Sequence, residues 1–151
     1  MIAVLQRVSK GTVSINGVIK DVIRDGLVVF VGVMKDDTET DVESLTKKIS
    51  GFRIFNDQNQ KMNLSIKEIN GSILAVSQFT LCGDWKKGRR PSFFNAAHPE
   101  KGELLYELFK KKLSKEGIPI KSGKFGAMMS VKLTNEGPVT FVLNSKEKYN
   151  I

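Results

Sequence analysis

Leu27-Val28-Val29-Phe30-Val31-Gly32-Val33, entered through Gly26, is apolar on both of its alternating faces. A strand with one wet face alternates polar and apolar residues, so this run predicts a strand covered on both sides and central in a sheet. The apolar stretch ends at Met34, far short of the roughly 20 residues a membrane-spanning helix needs. The rest of the chain has to supply two covers for that strand.

The flanking segments read as those covers. Val4–Val8 and Val13–Ile15 are strand-like, and Asn16-Gly17 is a two-residue hairpin signal that returns the chain along Val18–Ile23. Asp36-Asp37-Thr38 offers acidic and capping residues ahead of a helix whose Val42, Leu45, Ile49 and Phe52 form one stripe. A turn is expected at 56–59, and a second buried strand from Ser72 to Leu81. Pro99 suits a first helical position, with Glu100 and Glu103 at the positive end, Leu104, Leu105, Leu108 and Leu113 facing inward, and Gly117 as the stop. Ser130–Thr134 and Val139–Leu143 are predicted as strands on either side of a Gly137-Pro138 turn. With 151 residues, the chain has length for one core and not two. The expectation is a single α+β domain over 1–151, rich in antiparallel and mixed sheet, with two helices.

Composition narrows the chemistry. Cys82 is the only cysteine and His98 the only histidine, so disulfides within the chain and cysteine-based zinc sites are excluded and a Cys–His nucleophile is disfavoured. The acidic residues Asp36, Asp37, Glu39 and Asp41 are explained by a helix start, so no metal and no cofactor are expected. No phosphate loop of the P-loop or dinucleotide type is present. Met1–Leu5 gives way at once to Gln6 and Arg7, unlike a secretory leader, and a soluble cytoplasmic protein without membrane association is expected. The formal charge is +8. Part of it is gathered in Lys86-Lys87-Gly88-Arg89-Arg90, a loop composition suited to gripping phosphates, while Lys110–Lys112 and Lys115 read as a solvated helix face.

Two segments stand out as a possible site. Ser77-Gln78-Phe79-Thr80 brings hydroxyls, an amide and main-chain N–H groups to the end of a buried strand. Thr80 has no evident base beside it, so oxyanion stabilisation by the N–H groups near Phe79 and Thr80 fits better than nucleophilic attack. Asn135 through Thr140 places Gly137-Pro138 where rigid carbonyls could reject a substituent, or simply turn the chain.

These segments, together with Arg90-Pro91-Ser92-Phe93 and Phe125-Gly126-Ala127 with Met129, resemble the D-aminoacyl-tRNA deacylases in order and spacing. Gln6-Arg7-Val8, Gly51–Phe55 and Lys61–Leu64 extend the resemblance over nearly the whole chain. It implies a barrel-like deacylase fold and a homodimer with the active site at the subunit interface. Ser77, Gln78, Phe79 and Thr80 would form the catalytic wall. Gly137 and Pro138, joined by a cis bond and reaching into the partner's pocket, would exclude L-aminoacyl groups. Phe125, Met129 and Ala97 would line the substrate site, and Lys86, Lys87, Arg89 and Arg90 would hold the tRNA. The implied reaction is hydrolysis of D-aminoacyl-tRNA, extending to glycyl-tRNA because glycine offers no Cβ to exclude. The alternatives from other classes are a non-catalytic basic RNA-binding module and a Thr80-dependent hydrolase of small esters.

Overall fold

The computed structural model describes residues 1–147; the end of the expected 1–151 domain, residues 148–151, lies outside the described residues. β1 (Ile2–Ile15), β2 (Val18–Ile23) and β3 (Gly26–Gly32) lead into α1 (Glu39–Gly51). A small ribbon of β4 (Phe55–Asn56) and β5 (Met62–Leu64) follows, then β6 (Ser72–Ser77), a single 3-10 turn over Phe79–Cys82 and α2 (Pro99–Lys115). β7 (Ile120–Ser122) and β8 (Ser130–Asn144) complete the order.

β1 is the spine. Its first half pairs antiparallel with β3 and its second half with β2, while β8 runs along it from Ile2 to Ser14. β3 pairs in parallel with β6, and β6 with β7. The Asn16-Gly17 hairpin forms as expected, both residues having positive φ (51° and 75°). Its return strand curls over to β7. Lys20 Nζ donates to the Ser122 carbonyl at 2.6 Å, and Ser122 N donates to Asp21 at 3.2 Å. The mixed sheet thus closes most of the way into a barrel.

β3 is central, and both of its faces are covered. Leu27, Val29 and Val31 join Ile73 and Ala75 under the two helices, where Leu45, Ile49, Leu105, Tyr106, Phe109 and Leu113 complete the larger core. Val28 faces the barrel interior with Leu74, Val76, Val8, Val13 and Ile23. Full burial of one such side chain is worth about 1.5–3 kcal/mol, so this strand anchors both layers.

Three sequence expectations change. Leu104 is exposed rather than packed, because the buried stripe of α2 follows Gly102, Leu105, Tyr106, Phe109 and Leu113. The second buried strand ends at Ser77, not Leu81. Gln78 N makes the last bond, to the Val31 carbonyl at 2.8 Å, and Leu81 N then turns back to the Gln78 carbonyl at 3.2 Å. Finally, 130–134 and 139–143 are not a hairpin. Both belong to β8 and pair with the same strand, Gln6 opposite Thr140 and Val8 opposite Asn135, so the residues between bulge off the ladder.

The acidic segment before α1 is structural. Asp37 is fully buried, accepting from the Met1 ammonium group at 2.6 Å and from Met34 N at 2.6 Å. Asp41 accepts from Thr38 N at 2.8 Å, capping the helix, and from Ser145 Oγ at 2.7 Å, and pairs with Lys146 at 2.8 Å. Burial alone would raise its pKa, but the bonds from Lys146, Ser145 and Thr38 outweigh that and hold it well below the usual carboxylate range. A depressed folded pKa contributes stability above the unfolded value, about 3.9, that is lost as pH falls through the folded one. Thermal denaturation followed by circular dichroism should give a Tm that declines below about pH 4, and Asp41→Asn should flatten that decline while lowering Tm at neutral pH. Among the described residues, no helix is long and apolar enough to cross a membrane.

Candidate active site

The parallel pair β3 and β6 ends side by side, and a cavity of about 660 Å³ opens beyond their carboxyl ends. The 3-10 turn forms one wall. It can lie against β3 because residue 32 is glycine: a Cβ there would stand 3.0 Å from Leu81 Cβ, 3.1 Å from Cys82 Sγ and 3.1 Å from the Gln78 carbonyl. Phe79 and Thr80 open this turn, so their N–H groups have no carbonyl ahead of them within it. Both residues line the cavity.

The opposite wall comes from the start of α2 and the loop after β7. Pro99 and Gly102 line it together with Phe125, Gly126 and Met129. Gly102 lies against the Phe125 ring, which would be in ordinary contact, 3.4 Å away, with a Cβ at that position. Phe125 also tilts against Tyr106, centroids 6.0 Å apart. Tyr106 is held from below by its hydroxyl, which donates to the Ala75 carbonyl at 3.0 Å. The cavity therefore has rigid, apolar flanks and one polar edge.

That edge contains Ser77, Gln78 and Thr80. Gln78 Nε2 donates to Thr80 Oγ1 at 2.5 Å, so the threonine oxygen acts as an acceptor here. No aspartate, glutamate, lysine, arginine, histidine or cysteine is among the described residues that line the cavity. Cys82 lies behind the turn: its thiol donates to the Val33 carbonyl at 3.4 Å, and burial pushes its pKa up to about 11. It is a packing residue, and the Cys–His arrangement is ruled out as a thiolate nucleophile.

Of the residues singled out in the sequence, Ser77, Gln78, Phe79, Thr80, Ala97, Phe125 and Met129 meet in this cavity. Gly137 and Pro138 do not line it; they sit on the β8 bulge, joined by a cis bond. Lys86, Lys87, Arg89 and Arg90 occupy an exposed loop whose base is closed by paired bonds between Asp84 and Ser92, both 2.8 Å. Phe93, just past that base, stacks edge-on against Phe79 with centroids 4.9 Å apart.

Arg7, which the sequence did not flag for a role, braces the Gly137-Pro138 bulge. Its Nε donates to the Glu136 carbonyl at 3.1 Å, and one terminal nitrogen to the Ile54 carbonyl at 2.8 Å and Asn56 Oδ1 at 3.1 Å. The guanidinium thereby ties the bulge to the β4 region. Asn135 secures the other side, donating to Thr140 Oγ1 at 2.8 Å and accepting from Val139 N at 2.9 Å. An arginine in the middle of a strand carries no periodicity signal of this duty.

A family model described as D-Tyr-tRNA(Tyr) deacylase matches residues 4–144. The chain belongs to this family. A D-aminoacyl-tRNA deacylase of Thermotoga petrophila is 53% identical over 149 residues, covering 99% of this chain and all of that protein. A solved structure named c-Myc DNA Unwinding Element Binding Protein superposes with a TM-score of 0.91 at 38% identity, over 97% of this chain and 100% of that one. A second, described as a probable eukaryotic D-amino acid tRNA deacylase, has a TM-score of 0.81 at 21% identity, over 95% and 98% of the two chains, and shows the shared fold. The deacylase family thus has here the barrel-like, two-helix architecture expected from the sequence.

Proposed function

We propose that this chain hydrolyses the ester between a D-amino acid and the terminal ribose of tRNA. The observation that carries this reading is the cavity itself, in which a main-chain turn faces apolar walls and no titratable side chain is among the described residues that line it. An aminoacyl ester is activated enough for such a site. Water adds to the ester carbonyl carbon, the oxyanion that develops is held by Phe79 and Thr80 N–H, and the ribose oxygen leaves with a proton, giving free amino acid and tRNA. The neighbouring 2′-hydroxyl of the ribose assists; Thr80, with its oxygen already accepting from Gln78, orients rather than attacks.

In this reading two copies associate, and the Gly137-Pro138 bulge of one enters the cavity of its partner. Its carbonyl groups fill the place that an L side chain would need, since burying them against carbon would leave acceptors unpaired. A D side chain points away, and glycine has nothing to exclude. Phe125, Met129 and Ala97 receive the terminal adenosine and aminoacyl group, while Lys86, Lys87, Arg89 and Arg90 hold phosphates, with affinity falling as salt rises. The reaction belongs to the cytoplasm, where aminoacyl-tRNA is made and used.

The test is paired deacylation of D-tyrosyl-tRNA and L-tyrosyl-tRNA, with and without chelator, and of glycyl-tRNA at high enzyme concentration. The D ester and glycyl-tRNA should be cleaved with chelator present and the L ester spared. RNA binding without faster loss of the D ester would replace this reading by a non-catalytic RNA-binding module. Inertness toward glycyl-tRNA would contradict selection by exclusion.

A further inference from the structure

The cavity accounts for one nucleotide of a tRNA, and the surface beside it carries large aromatic side chains that the reaction does not use. Trp85 is 78% exposed and Phe94 79%, whereas Tyr106 and Phe109 in the core are at most 1% exposed. These rings flank a basic loop rather than an apolar patch, so stacking against a charged partner suits them better than an apolar interface. Trp85 directly precedes Lys86-Lys87, and Lys35 Nζ stands 4.0 Å above the Phe94 ring. Lys35 is in turn fixed by its backbone, its N–H donating to the Asn95 carbonyl at 2.9 Å and its carbonyl accepting from Lys101 Nζ at 2.5 Å.

The base of the basic loop also adjoins the cavity. Phe79 belongs to its wall, Phe93 stacks on Phe79, Phe94 follows in sequence, and the Asp84–Ser92 bonds bring Trp85 to the same loop base. Alternating rings and cations form a surface for single-stranded nucleic acid: bases stack on the rings while lysine and arginine neutralise the backbone. A second copy of this chain, itself strongly cationic at +8, would meet like charge here.

We infer that Trp85 and Phe94 form a stacking platform for the unpaired nucleotides that precede the terminal adenosine of the tRNA. This deepens the proposed function and rests on it. The platform binds the single-stranded 3′ end, leaving the cavity to the terminal aminoacyl-adenosine. It makes substrate recognition depend on nucleotides remote from the ester.

Trp85 is the only tryptophan, so its fluorescence reports the platform directly. Uncharged tRNA should quench it saturably, and tRNA lacking its unpaired 3′ nucleotides should quench it far less. Trp85→Ala should raise KM for D-tyrosyl-tRNA about five- to hundredfold, the range seen when one base–aromatic stack is lost, and Trp85→Phe should restore most of it. The ratio of KM values between variant and parent should stay near one for a D-tyrosyl ester of adenosine, which has no preceding nucleotides. Equal KM shifts on both substrates, no fluorescence change with tRNA, or an emission shift that follows protein concentration alone would overturn the platform. If the parent cleaves neither substrate, the proposed function fails instead, and the two failures are told apart.

Discussion

Gly137→Ala should lower kcat/KM for D-tyrosyl-tRNA by about 100-fold, the loss that a displacement of about 1 Å can cause in a positioned site. Residue 137 has φ of 130°, a backbone conformation that side-chain-bearing residues rarely adopt. A Cβ there would be 2.6 Å from Val139 Cγ2, 3.0 Å from Val139 N and 3.1 Å from an Arg7 terminal nitrogen. Val139 is buried and its N–H is committed to Asn135, so the backbone has to move instead. The strain is confined to a bulge, so the variant should remain folded at a cost of about 1–3 kcal/mol, read as a modest fall in Tm. The D-over-L preference should shrink as well, because the displaced group is the one proposed to exclude the L side chain. Full activity with an unchanged D/L ratio would reduce Gly137 to a structural bulge residue. Arg7 holds the Glu136 carbonyl on one side of the pair and Asn135 holds the Val139 N–H on the other, which is why so small an addition is expected to have so large an effect.

How much of this could be read in the sequence depended on whether the signal was local. Asn16-Gly17 and the boundaries of α2 are set by residues within one turn, and both were legible. The double-sided run at 27–33 implied a central strand because only burial on both faces explains it. Phe79, Leu81 and Cys82 continued the apolar character of β6, which concealed the turn; what ends the strand is the approach of the turn to Gly32, a contact between segments far apart in sequence. Gly-Pro chemistry serves a hairpin and a bulge equally well, and the choice is made by β1, long enough to pair with both halves of β8. Leu104 misled because a leucine pair on a helix can straddle the edge of its buried stripe. The resemblance pointed to Ser77–Thr80, Ala97, Phe125 and Met129, which line the cavity, and to Gly137, Pro138 and the basic loop, which do not, while the support from Arg7 became visible only when strand pairing brought residue 7 to the bulge.

The second large effect concerns pH. If side chains supplied a general acid or base, that group would contribute about 10²–10⁴-fold and leave its pKa in the rate profile. Here the cavity is lined by apolar and neutral polar residues, and the nearest thiol, Cys82, is buried with its pKa pushed up to about 11. In the proposed reaction the two N–H donors, at about 10²–10³-fold each, supply the acceleration for an ester already prone to hydrolysis. With no titratable side chain among the described residues that line the cavity, removing a proton from the attacking water or the ribose 2′-hydroxyl falls to solvent hydroxide, and the rate follows its concentration. The decisive experiment is therefore kcat for D-tyrosyl-tRNA between about pH 5.5 and 8.5, corrected for spontaneous hydrolysis at each pH. A straight line in log kcat, rising close to tenfold per pH unit, is the expected result. A bell, or a plateau with an inflection near the pKa of a histidine, carboxyl or cysteine group, would contradict catalysis by the main chain.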